Sequence, residues 1–183
     1  SLEGAGGTLV ITGANTGGKT TYLKAAGVLQ FFAQLGMKVP AAHATVSPAG
    51  AIVTMFSRAE DDDEIFSRFQ TEVLSTLELL ESLTGNALVL LNEPFTSTSP
   101  EDGVKFCRRL MSVVLKLGAR CILVTHFFDL ALPETYGMPE AYTENLHSLV
   151  AVVEKTEHGV SPTHRMVEAP PEYTSYAAEI MSS

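Results

Sequence analysis

The stretch Gly13-Ala14-Asn15-Thr16-Gly17-Gly18-Lys19-Thr20 lies between an apolar run, Thr8-Leu9-Val10-Ile11-Thr12, and a helix-like run from Thr21 to Leu35. It fits G-x-x-x-x-G-K-[ST], in which a glycine-rich turn leaves a strand, points backbone N–H groups inward and feeds a helix whose N-terminus faces an anion. Glycine tolerates positive φ and lets the backbone approach a ligand closely. Lys19 is placed to reach β- and γ-phosphates as a point charge, and the Thr20 hydroxyl to ligate Mg²⁺. Gly13, Ala14, Asn15, Thr16, Gly17, Gly18, Lys19, Thr20 and Thr21 are therefore the expected nucleotide-binding residues. The bland alternative is a glycine-rich turn with an exposed lysine, and the order strand, loop, helix argues against it.

Composition agrees with a folded enzyme or binding domain. Hydrophobic residues make up 45% of the 183 and charged residues 18%, a globular rather than a disordered balance. The length suits one domain, expected to span 1–183. No apolar run is long enough for a membrane span and Ser1-Leu2-Glu3-Gly4 has no signal-peptide character, so a cytoplasmic location is expected. The absence of a first methionine, with Gly4, Gly6 and Gly7 close behind, suggests a piece of a longer polypeptide. Cys107 and Cys121 lie at no metal-like spacing and are expected to be packed thiols. The net charge of −9, from 21 acidic against 12 basic residues, repels a phosphate backbone, so DNA contact is expected elsewhere than on this piece.

Along the chain the fold class reads as α/β, a mostly parallel sheet flanked by helices. The strand Thr8 to Thr12 is apolar throughout, as in a parallel strand covered on both faces. The next helix carries Tyr22, Leu23, Ala26, Leu29, Phe32, Ala33 and Leu35 and ends near Gly36. Met37 to Gly50 reads as a loop with room for a short edge strand, and His43 in it as a solvent-exposed imidazole. Ala51 to Phe56 is a strand, and Ile65, Phe66, Phe69, Val73, Leu77, Leu80 and Leu83 form a helical stripe stopping at Thr84-Gly85. The acidic run Glu60-Asp61-Asp62-Asp63-Glu64 before it suits a solvated helix start. A third strand spans Asn86 to Pro94, and a helix starting near Glu101 and bearing Val104, Cys107, Leu110, Met111, Val114 and Leu117 ends at Gly118. After a fourth strand, Arg120 to Thr125, the runs Leu149 to Val153 and His164 to Val167 look like an antiparallel edge hairpin, and Tyr173 to Met181 can form one short helix.

Two strand ends bear chemistry. In P-loop nucleotidases a buried strand ends in an acidic pair, the first carboxylate in the magnesium shell and the second polarising the attacking water. Here the pair is Asn92-Glu93, so Asn92 with Thr20 is the expected metal set and Glu93 the expected general base. His126 follows the fourth strand, where it either senses the γ-phosphate or is an ordinary exposed imidazole.

Several landmarks, in order, resemble the C-terminal ATPase domain of the MutS-type DNA mismatch-repair family. They are Ile11 to Leu23 with the asparagine inside the loop, Val39-Pro40-Ala41, Ser67-Arg68-Phe69-Gln70-Thr71-Glu72, Leu88 to Glu93, Thr98-Ser99 with Asp102-Gly103, Thr125-His126 and Ser175-Tyr176-Ala177. The resemblance covers nearly the whole chain. It implies a P-loop ATPase related to the ABC class, using ATP and Mg²⁺, in which two nucleotide domains face each other in a homodimer. It implies that Ser67 points at the γ-phosphate bound by the other subunit, that His126 is the switch histidine, that Glu93 is the catalytic glutamate and that Lys19 serves the transferred phosphate. It implies too that DNA is met through domains other than this one.

The chain departs from the family at three places. Asn92 replaces the aspartate before the glutamate, the segment from Arg58 to Ser67 is shorter, and Pro94-Phe95-Thr96-Ser97 stands where the family has a glycine- and arginine-containing turn. Two readings follow: an ATPase that drives a DNA-processing protein, or a nucleotide-gated dimerisation module whose hydrolysis is nearly abolished by Asn92. A small-molecule kinase is disfavoured, because no separate lid or acceptor region is legible.

Overall fold

The computed structural model describes residues 7–14, 17–56, 65–156 and 159–171. Asn15, Thr16, the acidic run up to Glu64 and Ser175-Tyr176-Ala177 with the expected tail helix lie outside the described residues. Chain order is β1 (Thr8–Gly13), α1 (Lys19–Gln34), β2 (Ala51–Phe56), α2 (Ile65–Ser82), β3 (Ala87–Asn92), α3 (Pro100–Leu117), β4 (Arg120–Val124), α4 (Glu140–Thr143), β5 (Leu146–Thr156) and β6 (Gly159–Glu168). Two single 3₁₀ turns, Phe128–Ala131 and Pro133–Tyr136, lie between β4 and α4. They had no periodicity to betray them.

Among the described residues the sheet has the order β2-β3-β4-β1-β5-β6. Every pairing is parallel except β5 with β6. The expected edge hairpin is therefore present, and its first strand also extends the parallel sheet beside β1. The apolar strands β1, β3 and β4 lie inside the sheet, as does β5, and alternation along the first three splits the core in two. Val10, Val89, Leu91, Cys121 and Leu123 meet Cys107, Leu110, Met111 and Val114 of α3 on one face. Leu9, Ile11, Leu88, Leu90, Ile122 and Val124 meet Leu23 of α1 on the other. Burial on both faces is why these strands read as unbroken apolar runs.

The helices begin earlier than the apolar pattern alone indicates. Ser99 caps α3 by accepting the Asp102 N–H at 3.3 Å, with Pro100 in the first turn and Gly118 in the left-handed conformation beyond the end. Helix α1 starts at Lys19, two residues before the helix-like run expected from Thr21, so Lys19 and Thr20 belong to its first turn.

Part of the expected helical core is exposed. Tyr22 of α1, Leu35 just past its end, Val73 and Leu77 of α2 and Leu117 of α3 remain accessible. Helix α1 packs on β1, β3 and β4, its Lys24 Nζ also lies 5.8 Å from the ring centroid of Phe56 on the edge strand β2, and α2 contacts β2 as well. The loop from Met37 to Gly50 contains no strand and is pinned by side chains instead. Arg120 donates to the carbonyls of Ser47 (2.8 Å) and Pro48 (3.0 Å), and Gln30 to that of Ser47 (3.0 Å). His43 is exposed in it, as expected. No helix among the described residues is long and apolar enough to cross a membrane.

Cys107 and Cys121 are free, fully buried thiols, and burial pushes both well above the ordinary thiol range. Neither should react with a thiol reagent until denaturant unfolds the chain; rapid labelling in native buffer would contradict this core. Gly103 in α3 offers a second check, because a Cβ there would lie 2.7 Å from the Phe95 carbonyl oxygen and 2.7 Å from the Phe127 ring. A Gly→Ala change inside a helix normally stabilises by about 1 kcal/mol. Here overpacking should reverse the sign, with Gly103→Ala destabilising by about 1–2 kcal/mol in urea unfolding.

Candidate functional site

β1 delivers the glycine-rich loop to the carboxyl edge of the sheet. Gly13 (φ +110°) and Gly18 (φ +84°) have positive φ, as the loop pattern requires. A second constraint comes from β5: a Cβ at Gly17 would lie 2.6 Å from the Ala151 Cβ, and one at Gly13 3.1 Å from the Ala151 backbone. Gly13 is thus constrained by the neighbouring strand as well as by backbone conformation, and Gly17 by the neighbouring strand. The first bond inside α1 runs from the Tyr22 N–H to the Gly18 carbonyl at 2.9 Å. By helix geometry the amides of Lys19, Thr20 and Thr21 then face out of the N-terminus, where the dipole favours an anion.

Lys19 is only 2% exposed, although lysine is rarely buried. Its Nζ donates to the carbonyls of Gly13 (2.7 Å) and Ala14 (2.9 Å), which hold the ammonium inside the loop. Burial pulls its pKa below 10.5, and the carboxylate of Glu93 partly opposes that shift. Two candidates 74 positions apart in sequence therefore share one electrostatic neighbourhood.

Thr20 meets Asn92 directly. Its hydroxyl donates to Asn92 Oδ1 at 2.9 Å, and the asparagine is buried at the end of β3. These are two hard oxygen atoms, the donor type Mg²⁺ prefers. No cluster of three or more His, Cys, Asp or Glu side chains suited to a metal exists among the described residues, so a cation here would draw on Thr20, Asn92 and the ligand's own oxygens. The donor set and the glycine cradle fit a magnesium-bound triphosphate.

Glu93 follows Asn92 with φ +49°, and its N–H donates to the Val124 carbonyl at 2.8 Å. On β4 the chain continues to Thr125, whose N–H donates to the Ile11 carbonyl at 3.1 Å. The ends of β3, β4 and β1 are thereby tied side by side. His126 stands exposed at that edge, its ring centroid 4.6 Å from that of the buried Phe127. Lys19, Thr20, Asn92 and Glu93 converge, and His126 shares their edge of the sheet. Ser67 lies near the start of α2, and its side chain is outside the described residues.

Two further residues bear on this site. Glu72 of α2 accepts hydrogen bonds from the Phe95 N–H (3.1 Å) and from the Ser97 hydroxyl, in the turn after Glu93. Its only sequence signal was its place in the Ser67 to Glu72 resemblance. His164 of β6 has φ +55°, and its Nδ1 lies 3.2 Å from where a Gly18 Cβ would be. It borders an open cavity of about 790 Å³ between α1 and the β5–β6 hairpin, also lined by Tyr22, Ala26, His147, Leu149 and Met166. Nothing in the sequence links positions 18 and 164. His164 lies in the β-bulge opposite Val152 and Val153, outside the regular β5–β6 pairing, and stands beside Gly18.

Comparison with known proteins adds the kinship. The family model described as MutS domain V matches residues 9–182. The chain is 34% identical over 163 residues to the Endonuclease MutS2 of Symbiobacterium thermophilum, covering 87% of this chain and 19% of that protein. It is 31% identical over 159 residues to the DNA mismatch repair protein MutS of Prochlorococcus marinus, covering 86% of this chain and 16% of that one. The chain thus spans about a fifth of the length of these curated relatives.

The buried lysine yields a signed prediction. Below its lowered folded pKa, Lys19 is protonated in both folded and unfolded chains, and the burial penalty is at full size. As pH rises through that value toward 10.5 the penalty is relieved, so this residue's contribution to stability improves with alkalinity in that window. Glu93→Gln removes the opposing cause and should move the Lys19 titration lower still, read by side-chain NMR of the lysines. An upward or absent movement would separate the two groups in space.

Proposed function

Since the chain belongs to the MutS family, in the region of its domain V, we propose that it binds ATP with Mg²⁺ at the Gly13–Thr21 loop and hydrolyses it. The observation that carries this reading is the 2.9 Å hydrogen bond between Thr20 and Asn92, which joins the glycine-rich loop to the strand bearing Glu93. The loop amides and the N-terminus of α1 would hold the phosphates, and Lys19 would place its charge at the β- and γ-phosphates. Thr20 and Asn92 would hold the magnesium ion. Mg²⁺ supplies neutralisation of the charge that grows on the phosphate oxygens during transfer. Glu93 would accept the hydrogen bond of the attacking water and orient it, and His126 would contact the γ-phosphate from the end of β4. The cavity beside His164 and Tyr22 would give the nucleoside an apolar and imidazole-lined surface next to Gly18.

The proposal extends to assembly. Ser67 near the start of α2 would complete the site of a second copy, so the working unit would be a homodimer. In the longer relatives' architecture, hydrolysis here would drive DNA-contacting parts in a cytoplasmic mismatch-repair or related DNA-processing protein. One observation favours the alternative of a nucleotide-gated dimerisation module: the magnesium position carries the neutral amide of Asn92. An amide oxygen can ligate Mg²⁺ but brings no full charge.

Magnesium-dependent ATP hydrolysis, measured across protein concentration, tests the reading. Turnover should rise faster than linearly while dimerisation is incomplete. Glu93→Ala should lower kcat by about 10²–10⁴-fold with ATP affinity retained. Asn92→Asp should lower the magnesium concentration needed for half-maximal rate. No detectable ATP binding in calorimetry with magnesium in excess would remove the proposal. Binding without turnover that Asn92→Asp restores would favour the gated module.

A further inference from the structure

We propose that Glu72 is a positioning residue for hydrolysis, holding the turn after β3 in the conformation that aims Glu93; this rests on the ATPase reading above. Glu93 (φ +49°) and Phe95 (φ +61°) are two non-glycine residues in the left-handed region within three positions. Such a backbone persists only when its surroundings over-determine it. Both sides of the turn are held. Ahead of it, the Glu93 N–H is bound to the Val124 carbonyl at 2.8 Å. Behind it, the carboxylate of Glu72 receives the Phe95 N–H on one oxygen and the Ser97 hydroxyl on the other. A charged acceptor makes these bonds stronger than neutral pairs, and the bidentate arrangement fixes orientation as well as distance.

The surrounding rings leave the turn little freedom to drift. Phe95 is 3% exposed and its ring centroid lies 5.6 Å from that of Phe106, which is itself 5.6 Å from Phe69 on α2. The Phe95 carbonyl sits where a Cβ on Gly103 would clash. Glu72 lies on the same helix as Ser67, five positions along it. The aim of Glu93 is therefore referred to α2, the helix whose start would face the partner's nucleotide, through one carboxylate. A catalytic group moved by about 1 Å can lose about 100-fold in rate, so the consequence should appear in the chemical step.

The test measures steady-state ATP hydrolysis by the chain with magnesium in excess, at a protein concentration where rate per site is constant. Glu72→Ala should lower kcat by about 100-fold with KM within about threefold of wild type. Glu72→Gln keeps an oxygen acceptor for the Phe95 N–H and should recover most of that loss. Because Glu72 acts through Glu93, the double variant Glu72→Ala with Glu93→Ala should be no slower than Glu93→Ala alone. Unchanged kcat in Glu72→Ala, or losses that multiply in the double variant, would overturn the proposal while leaving the ATPase reading intact. A wild-type chain that hydrolyses nothing would overturn both. Should Glu72→Ala fail to fold, Ser97→Ala carries the test by giving up one of the two bonds: about a tenfold fall in kcat at constant KM supports the proposal, and an unchanged kcat overturns it.

Discussion

Parallel pairing in fixed register is the constraint on which the candidate site depends. Ile11 lies opposite Val124, Val124 opposite Asn92, and Gly13 opposite Ala151. Because parallel strands run the same way, their carboxyl ends fall on one edge of the sheet, where open α/β folds bind ligands. The glycine-rich loop, the Asn92-Glu93 pair and His126 are therefore neighbours, although up to 113 positions separate them. Burial of β1, β3 and β4 on both faces defends the arrangement. A one-residue slip in any of them would turn every apolar side chain to the wrong layer.

The site itself concentrates costly features. Lys19 is a buried ammonium, and Glu93 and Phe95 are left-handed without being glycine. Each is held by fixed partners: the Gly13 and Ala14 carbonyls for the lysine, the Val124 carbonyl for Glu93, and the Glu72 carboxylate for the amide of Phe95. Perturbed ionisation and strained backbone at one place are what a preorganised site requires. Lys19 and Glu93 lie at the carboxyl edge of the sheet, where open α/β folds bind ligands, while Phe95 anchors the turn in the core.

An apparent conflict between charge and ligand resolves by range. The chain carries a net charge of −9, which would repel a polyanion held at its surface. Ions screen that field beyond about 8 Å at physiological salt. A triphosphate inside the loop would be governed by amides, a helix terminus and one ammonium within direct contact, in a medium that screens far less. The same chain can therefore favour a small bound anion and disfavour an extended one.

By itself the sequence determined the α/β class, the strands that end in chemistry, the phosphate-loop pattern and the family resemblance, because each is written in adjacent residues: glycine spacing, unbroken apolar runs, a polar residue just past them. Periodicity located α1, α2 and α3 for the same reason. What it overstated was how much of each helix is covered. Tyr22, Leu35, Val73 and Leu77 belong to apolar stripes, yet the fold leaves them accessible. Only the tertiary structure decided the contacts made across long separations: Thr20 with Asn92, Lys19 beside Glu93, Ala151 against the loop glycines, His164 at Gly18 and Glu72 on the turn after β3. These depend on strand order and register, which no local pattern encodes, since the same apolar strands can be stacked in several orders with similar burial.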